Sequence, residues 1–577
     1  MMNDYVAIDI ETTGLDPSRD AIIEVAAITF RGNDILDEYS TLVYPQRDIP
    51  VEITRLTGIS QAMVEDAPGM YQVRSQLRPI LSNHILVGHN VDFDLSFLQE
   101  ERLAVGNPRI DTVTLASILV PEAGRFGLNA LADFLYLPLP EGGQAHRARS
   151  DAELTIELFL SLREKAMQIP LAQLDEIVRT GQRLNWPETI FFEEILAARA
   201  RSAFADDELR MRGRLPKLFE PPKLEGRAVV AQDDLVLLDE DLIAGMIQPG
   251  GNFSQVFAGF EYRPEQEEMM VAVTQAFNHG DHILIEAGTG TGKSIGYLLP
   301  AAFWAVENGR RVVISTNTIN LQDQLIHKDI PELHKSLPFE LRAAVRKGRS
   351  NYLCTRLFQQ LRRSGPSSAD EMALFARILL WLPHTETGDV AEVPLRSLSE
   401  RLAWSRLNGE NAVCTLDQCA AERCPLHLAR QRAEQAHIVI VNHALLLSDV
   451  ANQNHVLPAF MDLIIDEAHH LEAAVTNGLS FRADKRFLET VLADISKPRS
   501  GLLADVQRRL GAVLPEHVIS ELDEFAGRMR REAQAAVIRL DEFFAAVDFF
   551  LRDHVQARSQ FAQQIRLTPA ARIQPTY

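Results

Sequence analysis

Apolar and polar residues follow two different periods along the chain, and the changes between them mark the predicted secondary structure. Short apolar runs that are typical of strands occur at Tyr5–Ile10 and Arg311–Ser315. Helical spacing covers most of 171–200, with an interruption at Pro187, and a long amphipathic pattern fills Val506–Arg566. Strands and helices occur in both halves of a 577-residue chain, which is longer than a single core supports. The pattern therefore predicts an α/β protein with several domains.

One apolar run, His282–Ile285, leads into the glycine-rich segment Glu286–Ser294, and a helical pattern, Ile295–Val306, follows. A glycine-rich turn between a strand and a helix leaves backbone N–H groups free to bind phosphates. Lys293 would reach the β- and γ-phosphates, and the Ser294 hydroxyl would hold Mg²⁺. The candidate nucleotide-binding residues here are Gly288, Gly290, Thr291, Gly292, Lys293 and Ser294.

A second nucleotide motif, Asp-Glu-Ala-His, ends the apolar run of Asp462–His469. The pattern predicts a buried parallel strand that brings two acids to the carboxyl edge of a sheet. We expect Asp466 to hold Mg²⁺ and Glu467 to polarise the attacking water, with His469 coupling the nucleotide to the nucleic-acid side. Together the two motifs predict an NTPase of the RecA-like helicase type. In helicases of superfamily 2 a glutamine at the position of Gln266 contacts adenine, which makes Gln266 a candidate for that role.

Paired acids mark a different chemistry near the N-terminus. The strand period of two places Asp9 and Glu11 on one face, where like charges repel each other and lose solvation. A divalent cation would remove that cost. A third acid, Asp94, lies at the start of a predicted amphipathic helix.

A fourth acid, Asp151, follows His146 by five positions. Ser150 and Glu153 have the spacing of a capping box, which would place Asp151 in the first turn of a helix and His146 in the preceding loop. Four carboxylates that hold two metal ions, with a histidine to deprotonate water, form a site for phosphodiester cleavage.

The segments Asp9-Ile-Glu-Thr-Thr-Gly14, His89-Asn-Val-Asp-Phe-Asp94 and His146–Asp151 resemble the DEDDh family of 3′–5′ exonucleases, similar to the proofreading epsilon subunit of bacterial DNA polymerase III. The resemblance covers about residues 4–165 and implies an RNase H-like fold with two Mg²⁺ or Mn²⁺ ions. It assigns His146 as the general base, and it assigns as metal ligands Asp9, Glu11, Asp94 and Asp151. Asp92 is left out of this set, because the family places its ligand directly after the aromatic residue.

All cysteines of the chain lie between the two nucleotide motifs, at Cys354, Cys414, Cys419 and Cys424. A cytosolic cluster of this kind favours metal binding over disulfides, and its spacing suits either Zn²⁺ or a [4Fe–4S] cluster. The insertion resembles that of the XPD/DinG group of iron–sulfur helicases, with the DinG branch the most similar, and Asn442-His443 matches a stretch of that group. The resemblance implies a [4Fe–4S] cluster, with Zn²⁺ as the alternative, and 5′–3′ unwinding of DNA. His427 is a spare ligand candidate.

The composition bears on nucleic-acid binding and on the cellular location of the protein. A net charge of −21 argues against attraction of the whole surface to nucleic acid. From Leu341 to Ala369 there is nevertheless no acidic residue, and the stretch is a candidate path for phosphates or else an ordinary solvated face. It contains Arg342, Arg346, Lys347, Arg349, Arg356, Arg362 and Arg363. The N-terminus has no secretory pattern and no apolar stretch has bilayer length, so we expect a cytoplasmic protein without a membrane partner.

These observations predict an exonuclease domain at 1–165, a connector at 166–255 with short strands in Arg227–Leu238, a RecA-like ATP-binding domain at 256–475 with an Fe–S insertion at 346–430, and a partial helical arch at 476–577. Helicases of this group have two RecA-like domains, and we find no second one. We therefore expect slow ATP hydrolysis unless a partner completes the site, because an arginine finger contributes about 10³–10⁵-fold to turnover.

The leading hypothesis is a bifunctional DNA-processing enzyme that acts in repair or replication, with an exonuclease joined to an ATP-dependent helicase. Its partners would be ATP and DNA, as single strands, 3′ ends or forks. The alternative is an exonuclease whose helicase half is a nucleotide-responsive DNA-binding module that does not unwind. RNA is a third option as the nuclease substrate.

Overall fold

The structure is a computed structural model that describes residues 3–554 except 83, 140–146, 204–218, 223, 225, 233, 257–259, 289, 411–414, 416, 418, 420–422, 480–483, 499–500 and 512. The described residues fall into two compact units, one that ends at Leu471 and one that begins at Glu472. Among the helices in these ranges, none is both long and apolar enough to cross a bilayer.

The N-terminal part of the first unit is built on a mixed sheet. Its strands in the described residues are β1 (Tyr5–Thr12), β2 (Ile22–Arg31), β3 (Asp34–Leu42), β4 (Ile85–Gly88) and β5 (Arg109–Asp111). They lie in the order β3-β2-β1-β4-β5, with β1, β2 and β3 antiparallel and β1, β4 and β5 parallel. Because β1 and β4 are parallel neighbours, residues at their carboxyl ends meet at one edge of the sheet.

The helices of this part cover the sheet. They are α1 (Val51–Thr57), α2 (Gln61–Val64), α3 (Met70–Leu81), α4 (Val91–Glu100), α5 (Thr112–Leu119), α6 (Leu128–Leu135), α7 (Ala148–Ala166), α8 (Leu171–Leu184) and α9 (Thr189–Ala203). The predicted helical region with its break at Pro187 is confirmed as α8 and α9. Apolar residues of α8 and α9, such as Ile177 and Phe192, belong to the same hydrophobic cluster as Tyr5 of β1. The predicted boundary between exonuclease and connector thus falls inside one continuous core.

A second sheet follows in the same unit. In the described residues its strands are β6 (Val312–Thr316), β7 (Ala343–Val345), β8 (Ile438–Asn442) and β9 (Asp462–Ile465), all parallel and in the order β7-β8-β6-β9. The accompanying helices are α10 (Glu240–Gly245), α11 (Asn252–Val256), α12 (Pro264–His279), α13 (Lys293–Glu307), α14 (Ile319–Gln324), α15 (Ile330–Ser336), α16 (Thr355–Ser364), α17 (Ala369–Trp381), α18 (Leu398–Leu407), α19 (Pro425–Gln435) and α20 (His443–Ala451).

Three strand predictions differ from the structure. His282–Ile285 is extended but forms no strand, and the Leu284 side chain is 97% exposed. Asp462–Ile465 is a parallel strand as predicted, yet it is an edge strand and only partly buried, because within the described residues it pairs with β6 alone. Arg227–Leu238 also lacks strands, since its backbone bonds to helix ends, as Gln232 does to the carbonyl of Asn308. Apolar spacing identified these segments but could not show which neighbouring strands each of them would have.

Helix α17 joins the region of the cysteines to the exonuclease sheet. The Arg377 guanidinium is fully buried and donates to the carbonyl of Ser117 in α5 at 2.8 Å and to the Ser117 hydroxyl at 2.6 Å. It also pairs with Glu400 at 3.1 Å. Nearby, Gln173 of α8 donates to the carbonyl of Leu379 at 2.7 Å. The predicted insertion therefore packs on the exonuclease through buried polar bonds as well as apolar contacts.

The second unit is helical where it is described, with α21 (Leu471–Leu479), whose first residue ends the first unit, α22 (Lys485–Ser496), α23 (Leu502–Gly511) and α24 (Glu516–His554). Helices α22 and α23 pack on α24, and Lys485 pairs with Asp541 at 2.6 Å. The predicted amphipathic helices are observed up to residue 554 as part of α23 and as α24, and the rest of the predicted range to Arg566 lies outside the described residues.

Candidate active sites

Three acids meet at the carboxyl edge of the first sheet. Asp9 and Glu11 come from β1 and Asp151 comes from the first turn of α7, and their carboxylate oxygens lie within 4.8 Å of one another. The strand period and the helix start together produce this geometry. An arrangement of three convergent, partly buried carboxylates has the ligand chemistry that Mg²⁺ and Mn²⁺ prefer.

The fourth predicted ligand, Asp94, lies beside this group. It sits in the first turn of α4, is almost fully buried, and accepts a hydrogen bond from the backbone N–H of Ile10 at 3.1 Å. Ile10 lies between Asp9 and Glu11, so this bond ties the Asp94 side chain to the strand that carries the other acids. The structure thus brings Asp9, Glu11, Asp94 and Asp151 together.

Burial and mutual repulsion raise the pKa values of these acids. Burial is the main cause that raises the pKa of Asp9 well above its usual range, followed by the charges of Asp94 and Asp151. Burial also raises the pKa of Asp94, and burial followed by the Asp151 charge raises the pKa of Glu11 to about 7. Such a cluster is unfavourable by itself, and a divalent cation would compensate it, so the donor set fits the implied metal.

Two histidines, His89 and His146, belong to the sequence motifs of this site. His146, the predicted general base, lies outside the described residues. His89 is engaged at both ring nitrogens, with the Thr112 hydroxyl at 3.0 Å from Nδ1 and the Phe126 carbonyl at 2.9 Å from Nε2. His89 therefore has a structural role. The nearby Asp92 forms a pair with Arg109 at 2.6 Å, in agreement with its exclusion from the ligand set.

The predicted capping box at the start of α7 is wrong. The helix begins at Ala148, so Ser150 lies inside its first turn, and Glu153 pairs instead with Arg149 at 3.1 Å. The Ala148 N–H is capped by Glu24 of β2, at 3.0 Å. Local spacing could not reveal a cap that comes from another strand, although an acid within the apolar sequence of β2 was a visible signal.

The nucleotide motifs also meet, at the edge of the second sheet. The Lys293 ammonium lies 3.2 Å from a carboxylate oxygen of Glu467, and the Tyr297 hydroxyl donates to Asp466 at 3.3 Å. Burial, followed by the neighbouring Glu467 charge, raises the pKa of Asp466. Ser294 reaches the Tyr297 hydroxyl and the Asp329 carboxyl. Lys293, Ser294, Asp466 and Glu467 thus line one site.

The Gln266 side chain contacts the predicted phosphate loop. This side chain is buried in α12 and donates to the carbonyl of Gly292 at 2.8 Å. Gly290 and Gly292 have φ of 85° and 77°, a region that favours glycine. Gly288 and Thr291 belong to the same loop, where the Thr291 hydroxyl donates to the Gly288 carbonyl at 3.0 Å.

Histidines also lie close to the Asp-Glu pair. His469 lies 3.5 Å from Glu467 and packs on His470. His443 is buried, with Nδ1 2.7 Å from the Ser315 hydroxyl, and it approaches the backbone of Asp466 and Glu467. Contacts of this kind link the ends of three neighbouring strands.

Three of the four cysteines lie in the described part of the chain, and Cys424 interacts with the other two. Cys424 contacts the thiol of Cys419 and interacts electrostatically with Cys354. Its sulfur also accepts from the N–H groups of Leu426 and His427 at the start of α19, a position that favours a thiolate. Burial nevertheless raises the pKa of the Cys424 thiol, which a metal would offset. The fourth cysteine, Cys414, lies outside the described residues.

Two family models match parts of the chain. A family model described as Exonuclease matches residues 6–159, and one described as DEAD_2 matches residues 411–488. The 3′–5′ exonuclease DinG of Bacillus subtilis (strain 168) is 33% identical over 560 residues, which are 95% of this chain and 58% of that protein. This chain is thus similar to DinG over most of its own length. The protein of that name in Staphylococcus aureus (strain USA300) is 30% identical over 497 residues, 83% of this chain and 52% of its own length.

The resemblance to the DinG branch is therefore confirmed, over part of the length of these proteins. The chain combines an α/β, RNase H-like exonuclease domain with a DEAD_2 helicase-family segment. It spans a little over half the length of the relatives above. A solved structure, exonuclease X in complex with 5′ overhanging duplex DNA, is 28% identical and covers 28% of this chain and 91% of its own, with a TM-score of 0.25.

Three of the seven cations in the basic stretch serve the fold rather than the predicted phosphate path. Lys347 is buried and pairs with Asp389 at 2.8 Å, and Arg362 pairs with Glu176 of α8 at 2.5 Å. Arg346 is also buried, and its guanidinium lies over the ring of Tyr352. These cations stabilise the fold, since acids that are distant in sequence neutralise two of them. The sequence pattern could not show those acids.

Proposed function

We propose that this chain is a metal-dependent 3′–5′ exonuclease joined to an ATP-binding, DinG-like helicase half. One observation carries the nuclease half: the carboxylates of Asp9, Glu11 and Asp151 meet within 4.8 Å, with Asp94 buried beside them. The Exonuclease family model spans all four acids, and the relatives carry the name 3′–5′ exonuclease.

In this proposal Asp9, Glu11, Asp94 and Asp151 hold two Mg²⁺ or Mn²⁺ ions, whose chemistry is to activate a water molecule and neutralise charge on the phosphate. His146 accepts the proton of the attacking water. The water oxygen bonds to phosphorus, the bond from phosphorus to the 3′ oxygen of the preceding nucleotide breaks, and a 5′-mononucleotide leaves. The clustering of these carboxylates supports the assignment, because burial and the neighbouring charges raise the pKa values of Asp9 and Glu11, a cost that a divalent cation would offset.

The test uses the full chain on a single-stranded DNA labelled at either end, with Mg²⁺ or with EDTA. We expect Mg²⁺-dependent loss of nucleotides from the 3′ end, and loss of activity in Asp9→Ala and Asp151→Ala. Asp92→Asn is the matched control, since its side chain pairs with Arg109 and should leave activity unchanged. Digestion that persists in Asp9→Ala would show that the site is elsewhere. A matched RNA strand in the same assay decides between DNA and RNA as substrate.

For the helicase half, we propose that the phosphate loop binds ATP–Mg²⁺, with Ser294 and Asp466 at the metal and Glu467 at the attacking water. The meeting of Lys293 and Glu467 at 3.2 Å supports a single nucleotide site. Hydrolysis of ATP stimulated by single-stranded DNA, lost in Lys293→Ala, is the expected result for a working motor. Unwinding in the 5′–3′ direction is then measured on forked DNA.

A second candidate function is a nucleotide-responsive DNA-binding module that does not unwind. It is favoured by the exposed run His282–Ile285, which lies outside the sheet that a working motor needs as a rigid base. If this candidate is correct, ATP changes DNA affinity or nuclease rate without strand displacement. A partner that restores turnover would instead support the motor, because it would supply the groups of a second RecA-like domain.

We also propose that Cys354, Cys414, Cys419 and Cys424 hold a [4Fe–4S] cluster, with Zn²⁺ as the alternative. The interactions of Cys424 with Cys354, with Cys419 and with the N–H groups of α19 support metal binding but suit both metals. Metal analysis of protein purified without oxygen, together with visible absorption, distinguishes them: iron, sulfide and a brown colour indicate the cluster, and zinc with no colour indicates the alternative.

A further inference from the structure

Strand β2 carries an acid, Glu24, within the apolar sequence Ile-Ile-Glu-Val-Ala-Ala-Ile. The Glu24 side chain is 4% exposed, and the strand register places Glu24 opposite Glu11 of β1. A buried carboxylate next to a cluster of like charges is costly unless hydrogen bonds and a cation compensate it. Glu24 has no role in the proposed hydrolysis, so the presence of a buried acid at this position requires a structural explanation.

Compensation comes from the start of α7. Arg147 binds the Glu24 carboxylate through two nitrogens, with Nη2 at 2.7 Å from Oε1 and Nε at 3.0 Å from Oε2. The backbone N–H of Ala148 donates to Oε2 at 3.0 Å. This forked geometry is the strong and directional form of an ion pair. One carboxylate therefore neutralises Arg147 and caps the helix at the same time.

The same turn carries a metal ligand. The N–H of Asp151 donates to the carbonyl of Arg147 at 3.0 Å, so the position of Arg147 fixes where the helix directs Asp151. Helix α7 has no side-chain cap from its own N-cap residue. The contact from Glu24 therefore holds the first turn of α7 against β2, the strand next to β1.

We propose that Glu24 is a positioning residue of the nuclease site: through Arg147 and the Ala148 N–H it fixes the first turn of α7, so that Asp151 faces Asp9 and Glu11. This inference rests on the proposed nuclease function. Groups that orient metal ligands typically contribute about 10–100-fold to metal affinity or activity. Glu24→Gln keeps the shape of the side chain but loses the charge and one acceptor, so we expect losses in that range.

A second ion pair on the same helix provides a matched control. Arg149 of α7 pairs with Glu38 of β3 at 2.7 Å, but both side chains are solvent-exposed to a large extent. Exposed pairs contribute about 0–1 kcal/mol, and this one bonds to no backbone N–H of the helix start in the described contacts. Glu38→Gln should therefore bind metal and cleave DNA as the wild type does.

The experiment compares wild type, Glu24→Gln, Arg147→Lys and Glu38→Gln in the full chain. Mn²⁺ binding is followed by the electron paramagnetic resonance signal of the free ion, and kcat and KM are measured on single-stranded DNA. We expect Glu24→Gln to weaken Mn²⁺ binding and lower kcat by about 10–100-fold each, with KM for DNA within about twofold. Arg147→Lys should lie between, because lysine keeps the charge but loses the fork.

Glu24→Gln that matches Glu38→Gln in both Mn²⁺ affinity and kcat would overturn the proposal. If Glu24→Gln does not fold, Arg147→Lys decides: wild-type Mn²⁺ affinity and kcat in that variant would equally overturn it. A wild type that binds Mn²⁺ but degrades no nucleic acid would refute the proposed nuclease function. In that case the Mn²⁺ titrations alone still test whether Glu24 positions Asp151.

Discussion

Removal of one carboxylate from the acid cluster should make the metal-free protein more stable at alkaline pH. Glu11→Gln is the perturbation, because Gln has nearly the same size and no charge. In the folded state burial, the Asp151 charge and then the Glu24 charge raise the pKa of Glu11 from 4.5 to about 7. The folded state therefore holds this proton more tightly than the unfolded chain. Between these two pH values it binds more protons, and its stability falls as the pH rises.

The size of the effect follows from the shift. The difference between 7 and 4.5 corresponds to about 3 kcal/mol of lost stability once the pH is above both values. Glu11→Gln removes this cost, so the variant should be more stable than the wild type by up to about 3 kcal/mol at pH 8 and by almost nothing at pH 4. Mg²⁺ should reverse the order at pH 8, since it binds the native wild type and stabilises it by mass action.

Amide hydrogen exchange of peptides from β1 and α7, in EDTA and as a function of urea, measures the stability of this region directly. Glu38→Gln is again the control, because its carboxylate lies outside the cluster. The reasoning would be refuted if the Glu11→Gln protein were no more stable than the wild type at pH 8, or if the wild type without metal showed the same stability at pH 5 and pH 8.

Two further predictions concern the rest of the first unit. Arg377→Leu leaves Glu400 buried without its cation and removes two bonds to Ser117, so it should destabilise the unit by about 3–5 kcal/mol in urea unfolding. Arg406→Ala, at a more exposed pair, should cost at most about 1 kcal/mol, and equal losses would contradict the argument. Cys354→Ser should lower the iron or zinc content of the purified protein severalfold, and full retention of metal would argue against its role as a ligand.

The acid site shows how far sequence reasoning extends. The period of β1 placed Asp9 and Glu11 on one face, and the local pattern placed Asp94 at the start of a helix. Asp151 lies in the first turn of α7 as expected, although the capping box that predicted this is wrong, and the structure brings all four acids together. Glu24 was missed, because its partners lie more than a hundred positions away and only the antiparallel register of β1 and β2 brings it next to Glu11. Spacing along the chain describes a single element, whereas a cap from another strand depends on the tertiary fold.

The second sheet shows the same limit with apolar residues. His282–Ile285 has the composition of a buried strand, and a strand becomes stable only through hydrogen bonds to a neighbour and cover on its faces. In the described residues β9 pairs with β6 alone and keeps an open edge, yet the run does not join it and Leu284 faces solvent. Composition therefore predicted an apolar segment here but could not show whether it would pair with a neighbouring strand.

The buried contact between the exonuclease domain and the region of the cysteines affects how the proposed activities depend on each other. Arg377 and Arg362 each satisfy acids or carbonyls across this contact, and α17 shares a hydrophobic cluster with α5 and α8. Separation would expose these apolar faces and leave buried charges unpaired, at a cost of several kcal/mol for each charge. The nuclease and the region of the cysteines therefore form one body. Metal loss at Cys354 or Cys424 would act on a segment that packs directly on the exonuclease, rather than on a remote domain at the end of a linker.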